Sequence, residues 1–434
     1  MSAESVSRRS FLKSSAGKAA AASSFLIVKP EQVRAVGPAR LRAGLVGCGG
    51  RGTQAVENIL NGCPNVELVA MCDIFEDRLE KSYRQLKESP RNAKIADRVK
   101  VDPEHRFIGF DGYKKVLASD IDIVMLCTPP GYRPEHFEAA VNAREHVFAE
   151  KPFATDPVGC RRFMAAAKKS EELKLTVKSG AQRRSQREYV ETWQKVRDGA
   201  IGEILACYAY WIGTPVLQFQ GPNWPYEKGK RNPKWGDMEY QNRNWYSYVW
   251  LCGDQIVEQH IHNIDVCNWF MGAHPVRAVG SGGAAWRPRE EVYGNIYDHF
   301  TVDFVYPNGV HMSSHCRQYP NLPHIYRNVS ELLVGTKGRT NCRDMGTKGI
   351  DPYVQEHIDM VNSILGNGPY INEAMAVAES TMTCIMGREA AYSGQEITWD
   401  MVMNSQLDLY PKAFSYDAKV EVPPLPIPGQ YKFI

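Results

Sequence analysis

Leu41-Arg42-Ala43-Gly44-Leu45-Val46-Gly47-Cys48-Gly49-Gly50-Arg51-Gly52 is a short apolar run that stops on four glycines within six positions. LRAGLV reads as a buried strand, and the residues from about Thr53 to Asn61 continue with helical spacing. Gly47, Gly49 and Gly52 thus fall in a G-x-G-x-x-G turn between a strand and a helix. Glycines there permit a tight turn and let the backbone approach a pyrophosphate, whose charge a helix N-terminus favours. The next apolar run, VELVAMCD from Val66, ends on Asp73. A carboxylate in that place accepts hydrogen bonds from an adenine-ribose diol and repels a 2′-phosphate. The pattern predicts a dinucleotide fold with Gly47, Cys48, Gly49, Gly50, Arg51, Gly52 and Asp73 at the cofactor, and NAD in preference to NADP. The competing reading is a glycine turn in an α/β fold that holds no ligand.

Working outward, IDIVMLCTP from Ile121, HVFAEKP from His146 and LKLTVKSG from Leu173 read as further buried strands. Helical stretches near Thr53–Asn61, Asp77–Lys87, Pro134–Ala143 and Pro157–Glu171 separate them. Such alternation predicts a doubly wound parallel sheet covered on both faces. Beyond Gly180 the pattern changes. A helix through Tyr189–Arg197 leads into strands rich in Tyr, Trp and Val, with a hairpin at Tyr306-Pro307-Asn308-Gly309-Val310, where Asn-Gly suits a tight turn. The expectation is a second, α+β domain with an open, mainly antiparallel sheet. Between Pro215 and Trp245 runs a segment full of Pro, Gly and aromatics, too long for a simple connector and expected to order over a site. Helices near Tyr353–Leu365 and Asn372–Ser393 precede the Pro-rich VPPLPIPGQYKFI, an extended arm. The predicted organisation is a leader over 1–35, a nucleotide domain over 36–180, a substrate domain over 181–415 and a tail over 416–434.

The 434 residues, 43% hydrophobic and 23% charged, describe a globular protein with a sizeable core. Most of the formal charge of +3 lies in the first 35 residues, where Arg8, Arg9, Lys13, Lys18, Lys29 and Arg34 oppose only Glu4 and Glu31. No basic surplus is left in the body for nucleic acid. Ser7-Arg8-Arg9-Ser10-Phe11-Leu12-Lys13, followed by AGKAAAASSFLIV, resembles a twin-arginine export signal. The apolar stretch is too short and weak to span a bilayer, and no cysteine beside Val33-Arg34-Ala35 suggests a lipid anchor. The resemblance implies transport of the folded chain by the twin-arginine machinery to the periplasm or beyond. Eleven cysteines scattered from Cys48 to Cys384, without a C-x-x-C pair, suit folding in a reducing compartment and read as small buried hydrophobes.

Thr128-Pro129-Pro130 and Glu150-Lys151-Pro152 each close a strand at the carboxyl edge of the predicted sheet, so Thr128, Pro129, Glu150 and Lys151 face a nicotinamide. Later, VEQHIHNID from Val257 follows Asp254, a plausible N-cap, inside a helix predicted from about Gln255 to Met271. Glu258, His262 and Asp265 share one face of it at i, i+4 and i+7, while His260 points elsewhere. Such a stripe is a solvated flank, a metal site or proton-transfer equipment. The metal reading lacks an obvious external ligand, and we expect none.

Together GCGGRG, the Asp73 strand end, CTPPGYRPEHFEAAV, AEKPFATD and HNID, spanning about Leu41 to Asp400, resemble the Gfo/Idh/MocA family of glucose-fructose oxidoreductases and inositol dehydrogenases. The resemblance implies a Rossmann domain paired with a sheet domain, hydride transfer between NAD(P) and a sugar or cyclitol carbon, and self-association through the second-domain sheet. It also implies that Lys151 and His262 serve the reacting hydroxyl and that Glu258 stands where the family has aspartate. The chemistry is coherent on its own terms. Oxidising a secondary alcohol needs a base for its proton opposite a hydride acceptor. His262 titrates near neutrality, and a carboxylate one turn away would hold its tautomer and its charged form. Lys151, partly desolvated beside a cationic nicotinamide, would have a lowered pKa, so either could be the base. Arg183, Arg184, Trp245 and Tyr246 are candidates to line a carbohydrate cleft. The sequence thus points to an exported oxidoreductase with tightly held NAD acting on a sugar or glycoside. The rivals are a glycosidase that oxidises its sugar transiently and eliminates the leaving group, and a sugar-binding protein without chemistry.

Overall fold

The computed structural model describes residues 40–215, 232–319 and 323–434. The predicted leader and most of the long aromatic segment lie outside the described residues.

Six strands form the first sheet: β1 (Leu41–Val46), β2 (Val66–Asp73), β3 (Arg106–Ile108), β4 (Ile123–Leu126), β5 (His146–Ala149) and β6 (Val177–Ser179). Their order is β3-β2-β1-β4-β5-β6, all parallel. This is the doubly wound arrangement expected from the alternation, and its strand order reverses between β1 and β4. Both faces are covered, which is why β4 is buried at every position and shows no period of two. β6 is shorter than the apolar run LKLTVKSG suggested. β3 and the Gly112–Ala118 helix, which carry little periodic signal, are additional.

The second sheet contains β7 (Ile204–Gly213), β8 (Arg277–Gly283), β9 (His299–Val305), β10 (His311–Gln318), β11 (Asn328–Gly335), β12 (Gly338–Thr340) and β13 (Ile397–Thr398), in the order β12-β11-β7-β10-β9-β8-β13. It is antiparallel except for the β7–β10 pair. The Asn-Gly hairpin joins β9 to β10, with Gly309 at φ +80° and the Tyr306 N–H donating to the Val310 carbonyl at 2.8 Å. Along β10 every second residue is buried, so one face meets the core and the other is open. The Ala374–Ser393 helix covers the inner face. Its small residues allow close approach: a Cβ at Gly387 would lie 2.5 Å from the Phe304 ring.

The helix predicted across Gln255–Met271 is broken. It runs over Gln255–Glu258 and resumes at Ile261–Met271. The His260 N–H reaches back five residues to the Gln255 carbonyl, while the His262 N–H reaches back three to Gln259. The cause is the buried His260 imidazole, whose Nε2 bonds Ser314 Oγ on β10 at 2.8 Å. A buried polar ring must find a partner, and meeting Ser314 unwinds the turn. Asp254 caps the first segment as expected, at φ +74°, accepting from the Gln255 and Tyr297 N–H groups and the Tyr392 hydroxyl. All eleven cysteines are free thiols, and ten are buried.

Candidate active site

A cavity of about 780 Å³ opens at the carboxyl edge of the parallel sheet, against the second domain. Gly47, Gly49, Gly50, Arg51, Gly52, Asp73, Thr128, Pro129, Glu150 and Lys151 line one side, and Arg183, Trp245, Tyr246, Glu258 and His262 the other. Of the residues expected from sequence to touch cofactor or substrate, Cys48 and Arg184 do not line it, and Asp265 of the helical stripe is also away from it.

The glycine turn has the expected physics. Gly47 sits at φ +97°, and a Cβ there would press on the Cys127 backbone at 2.8 Å. At Gly52 a Cβ would meet the Gly47 carbonyl oxygen at 2.0 Å, so the helix packs onto the turn only with glycine. Gly49 and Gly50, by contrast, face open space. The Gly50–Gly62 helix starts without a side-chain cap, so its first N–H groups are available to an anion. Cys48 contributes its backbone: its N–H donates to Asp73 Oδ2 at 2.7 Å, while its thiol is buried against the Cys72 carbonyl at 3.3 Å. Asp73 Oδ1 accepts from the Phe75 N–H at 2.9 Å, and burial raises its pKa. Two backbone bonds fix this carboxylate while its remaining lone pairs face the cavity. An open glycine cradle, an uncapped helix start and a fixed carboxylate fit a dinucleotide.

Arg133, buried in the CTPPGYR motif, donates to the Thr128 and Pro152 carbonyls and so stitches together the turns after β4 and β5. Arg51 leaves the glycine turn to pair with Glu150 and, at 3.2 Å, with the fully buried Glu356, its guanidinium over Tyr353.

Across the cleft Lys151 Nζ donates to Glu258 Oε1 at 2.9 Å and to the Glu258 carbonyl at 2.6 Å. One ammonium N–H remains without a partner among the described residues. This corrects the expected role of Glu258: broken helical geometry turns its carboxylate to Lys151 instead of one turn along to His262. His262 stacks on Trp211 at 5.8 Å, and its buried Nδ1 has no hydrogen-bond partner among the described residues. Burial and the positive charges of Lys151, Arg183 and Arg51 hold its pKa well below the usual range. It is therefore a neutral imidazole, contrary to the expectation of a stabilised charged form.

Arg183 donates to the His262 carbonyl at 3.0 Å and pairs with the buried Glu331. Arg184 is removed from the site. Its guanidinium grips Asp265 through two bonds of 2.8 Å, and Asp265 also accepts from Ser380 Oγ at 2.8 Å. A buried guanidinium requires such a partner, and the inner face of the helix supplies it. Asp265 thus secures its helix. The described residues gather metal-capable groups at Asp102, Glu104 and His105 instead, on the surface. Tyr246 is buried, its hydroxyl accepting from Gln318 Nε2 at 2.8 Å. Sequence reasoning missed Trp211, Tyr353 and Glu356. Each lies on an element whose local pattern shows only a strand or a helix; packing brings Trp211 and Tyr353 to the cavity and sets Glu356 behind it, against Arg51.

Residues 41–179 match the family model described as an oxidoreductase family with NAD-binding Rossmann fold. This segment is similar to the NAD-binding domain of the Gfo/Idh/MocA family. The chain is 26% identical over 189 residues to inositol 2-dehydrogenase of Salmonella typhimurium, covering 43% of this chain and 51% of that protein. It is 28% identical over 242 residues to myo-inositol 2-dehydrogenase of Thermotoga maritima, covering 56% and 58%. The chain therefore spans about half the length of these curated relatives. In fold it is similar to scyllo-inositol dehydrogenase from Lactobacillus casei, solved with NAD(H) and scyllo-inositol, with a TM-score of 0.62 at 20% identity over 83% of this chain and 99% of that one. An aldose-aldose oxidoreductase from Caulobacter crescentus, complexed with glycerol, gives 0.61 at 16% identity over 83% and 99%.

Proposed function

We propose that the protein is an NAD-dependent oxidoreductase acting on a secondary alcohol of a sugar or cyclitol. The observation that carries this reading is the convergence of Lys151 and His262 on the cavity that also holds the glycine turn and Asp73. Bound NAD supplies the hydride acceptor or donor. The remaining Lys151 N–H is free to hold the reacting hydroxyl oxygen, with Glu258 fixing the ammonium. His262, neutral and stacked on Trp211, is the group able to accept the hydroxyl proton. Trp211, Trp245 and Tyr246 give the cleft the aromatic faces that sugar rings favour, and Arg183 adds a fixed donor. The inositol dehydrogenases among the relatives support a polyhydroxylated ring as substrate. Export by the twin-arginine route remains part of the proposal, as does self-association through the open face of the second sheet, where Tyr208, Tyr210, Leu332 and Val334 stand half-buried.

The test is to mix purified protein and NAD with panels of cyclitols, aldoses and aryl glycosides. The products are followed by absorbance at the NADH band and by mass. A keto product two hydrogens lighter than its parent supports the oxidoreductase. Phenol release without net NADH would instead favour the glycosidase, and no turnover with NAD bound would favour a binding protein.

A further inference from the structure

Residues 405–434 form a loop closed on itself. The Gln406 N–H donates to the Ile434 carbonyl at 3.2 Å, and Ser405 Oγ donates to the same oxygen. From this foot, further held by the Tyr431 hydroxyl on Glu389 at 2.7 Å, the chain runs outward past Asp156 and Glu135, where Leu409 N–H and the Tyr410 hydroxyl are bound. It returns beside the 237–243 helix, with Met238 N–H on the Ala418 carbonyl at 3.2 Å and Gln241 Nε2 on the Val420 carbonyl at 2.7 Å. The tip, Phe414 to Tyr416, lands on the edge of the cavity beside Asp73. There the Tyr416 hydroxyl donates to the Ile74 carbonyl. Its ring lies 5.3 Å from Phe110, and that of Phe414 lies 5.7 Å from both Phe110 and Tyr132. Ile74, Phe110 and Tyr132 line the cavity; the tip residues stand behind them.

A second tie crosses at the same edge. Arg243 pairs with Asp77 at 3.2 Å and covers the Phe75 ring at 4.0 Å, and Arg78 Nη2 donates to the Arg243 carbonyl at 3.2 Å. Gly236, at the start of the 237–243 helix, packs directly on the tip: a Cβ there would lie 2.4 Å from the Tyr416 carbonyl oxygen.

We propose that this loop is a clasp over the adenosine end of the cleft, with Phe414 and Tyr416 as positioning residues that slow release of NAD so that the cofactor stays with the protein between turnovers. The inference rests on NAD occupying the glycine cradle. Asp73 marks the adenosine end, and release there requires the wall made by Ile74, Phe110 and Tyr132 to move. Each wall residue is backed by a tip aromatic whose loop is tied at both limbs, so the wall cannot swing outward alone. Tightness of this kind acts on the rate of escape more than on the rate of entry.

The test uses the full chain loaded with NAD and chased with isotopically labelled NAD, the retained dinucleotide being weighed by mass spectrometry. Phe414→Ala and Tyr416→Ala are expected to exchange at least about tenfold faster than the parent, which is about 1.4 kcal/mol in barrier. Tyr416→Phe, which loses only the bond to Ile74, is expected to fall between, and it carries the test if the alanine variant does not fold. Trypsin cleavage after the exposed Lys412 and Lys419 should be slowed by NAD. Folded tip variants that exchange within twofold of the parent, a parent that exchanges within minutes, or cleavage indifferent to NAD would overturn the clasp. If the parent retains NAD and the variants do equally, the clasp alone falls. If the parent binds no NAD at all, the proposed function falls with it.

Discussion

On the dinucleotide side of the cleft, Gly47 to Gly52 and Asp73 belong to one strand, one turn, one helix and the next strand, and their geometry is fixed by neighbours in sequence. On the reacting side, Lys151 follows β5, Glu258 ends a one-turn helix, His262 opens another and Trp211 comes from β7. The first half is a local device, and its carboxylate, Asp73, is held by the backbone N–H groups of Cys48 and Phe75. The second is assembled from distant segments and relies on side chains pairing with side chains, as in Lys151 with Glu258 and Arg183 with Glu331. Local devices tolerate little change in residue type but announce themselves. Assembled ones depend on every element packing correctly.

The comparison breaks most sharply at Lys151. Lys151→Ala should lower kcat by about 10²–10³, the usual range for loss of a donor fixed on the reacting oxygen. Bound NAD, counted by absorbance after gel filtration, should be unchanged; loss of NAD would mean that the two halves are not separable. Arg184→Ala should leave KM near the parent value while costing about 3–5 kcal/mol of stability in denaturant titration, because it strands the buried Asp265 carboxylate. A raised KM with normal stability would return Arg184 to the substrate.

Acid should weaken both halves. His136, beneath Thr128 on the cofactor side, and His260, beneath the reacting side, are each pushed down to about 3 by burial. The folded state therefore binds fewer protons than the unfolded chain below about pH 6.5. Stability present above that pH is lost as pH falls toward 3, by about 2 kcal/mol per histidine between pH 7 and 5. Asp254, raised to about 6 by burial, acts in the opposite sense as it takes up its proton. Urea midpoints at pH 7 and 5 measure the net effect, expected as a fall. The smallest contrast lies within the glycine turn. Gly52→Ala should cost about 1–3 kcal/mol through overpacking against Gly47. Gly49→Ala, facing open space, should leave the denaturation midpoint within about 0.5 kcal/mol and weaken only NAD binding. Equal effects on stability would mean that the cradle is not preformed.

The glycine turn, the strand ends at Asp73, Thr128 and Lys151, the paired sheets and the Asn-Gly hairpin were all legible in the chain, because each is governed by periodicity or by the conformational needs of a few adjacent residues. The break at His260 was not: a regular apolar spacing conceals a buried ring that must reach Ser314. Arg184 looked like its neighbour Arg183, and only the position of Asp265 inside the core separates an arginine that faces the cleft from one that holds a helix in place. Trp211 and Glu356 gave no local sign at all.

By itself, then, the amino-acid order determined that one end of this protein is an NAD-binding Rossmann domain, since the backbone constraints of that fold are written in consecutive glycines and strand ends. Which charges meet was decided in three dimensions. Burial drives charges toward whatever partners packing provides, and so Glu258 holds Lys151, His262 is kept neutral beside Trp211, and the tip of residues 405–434 lies at the edge beside Asp73.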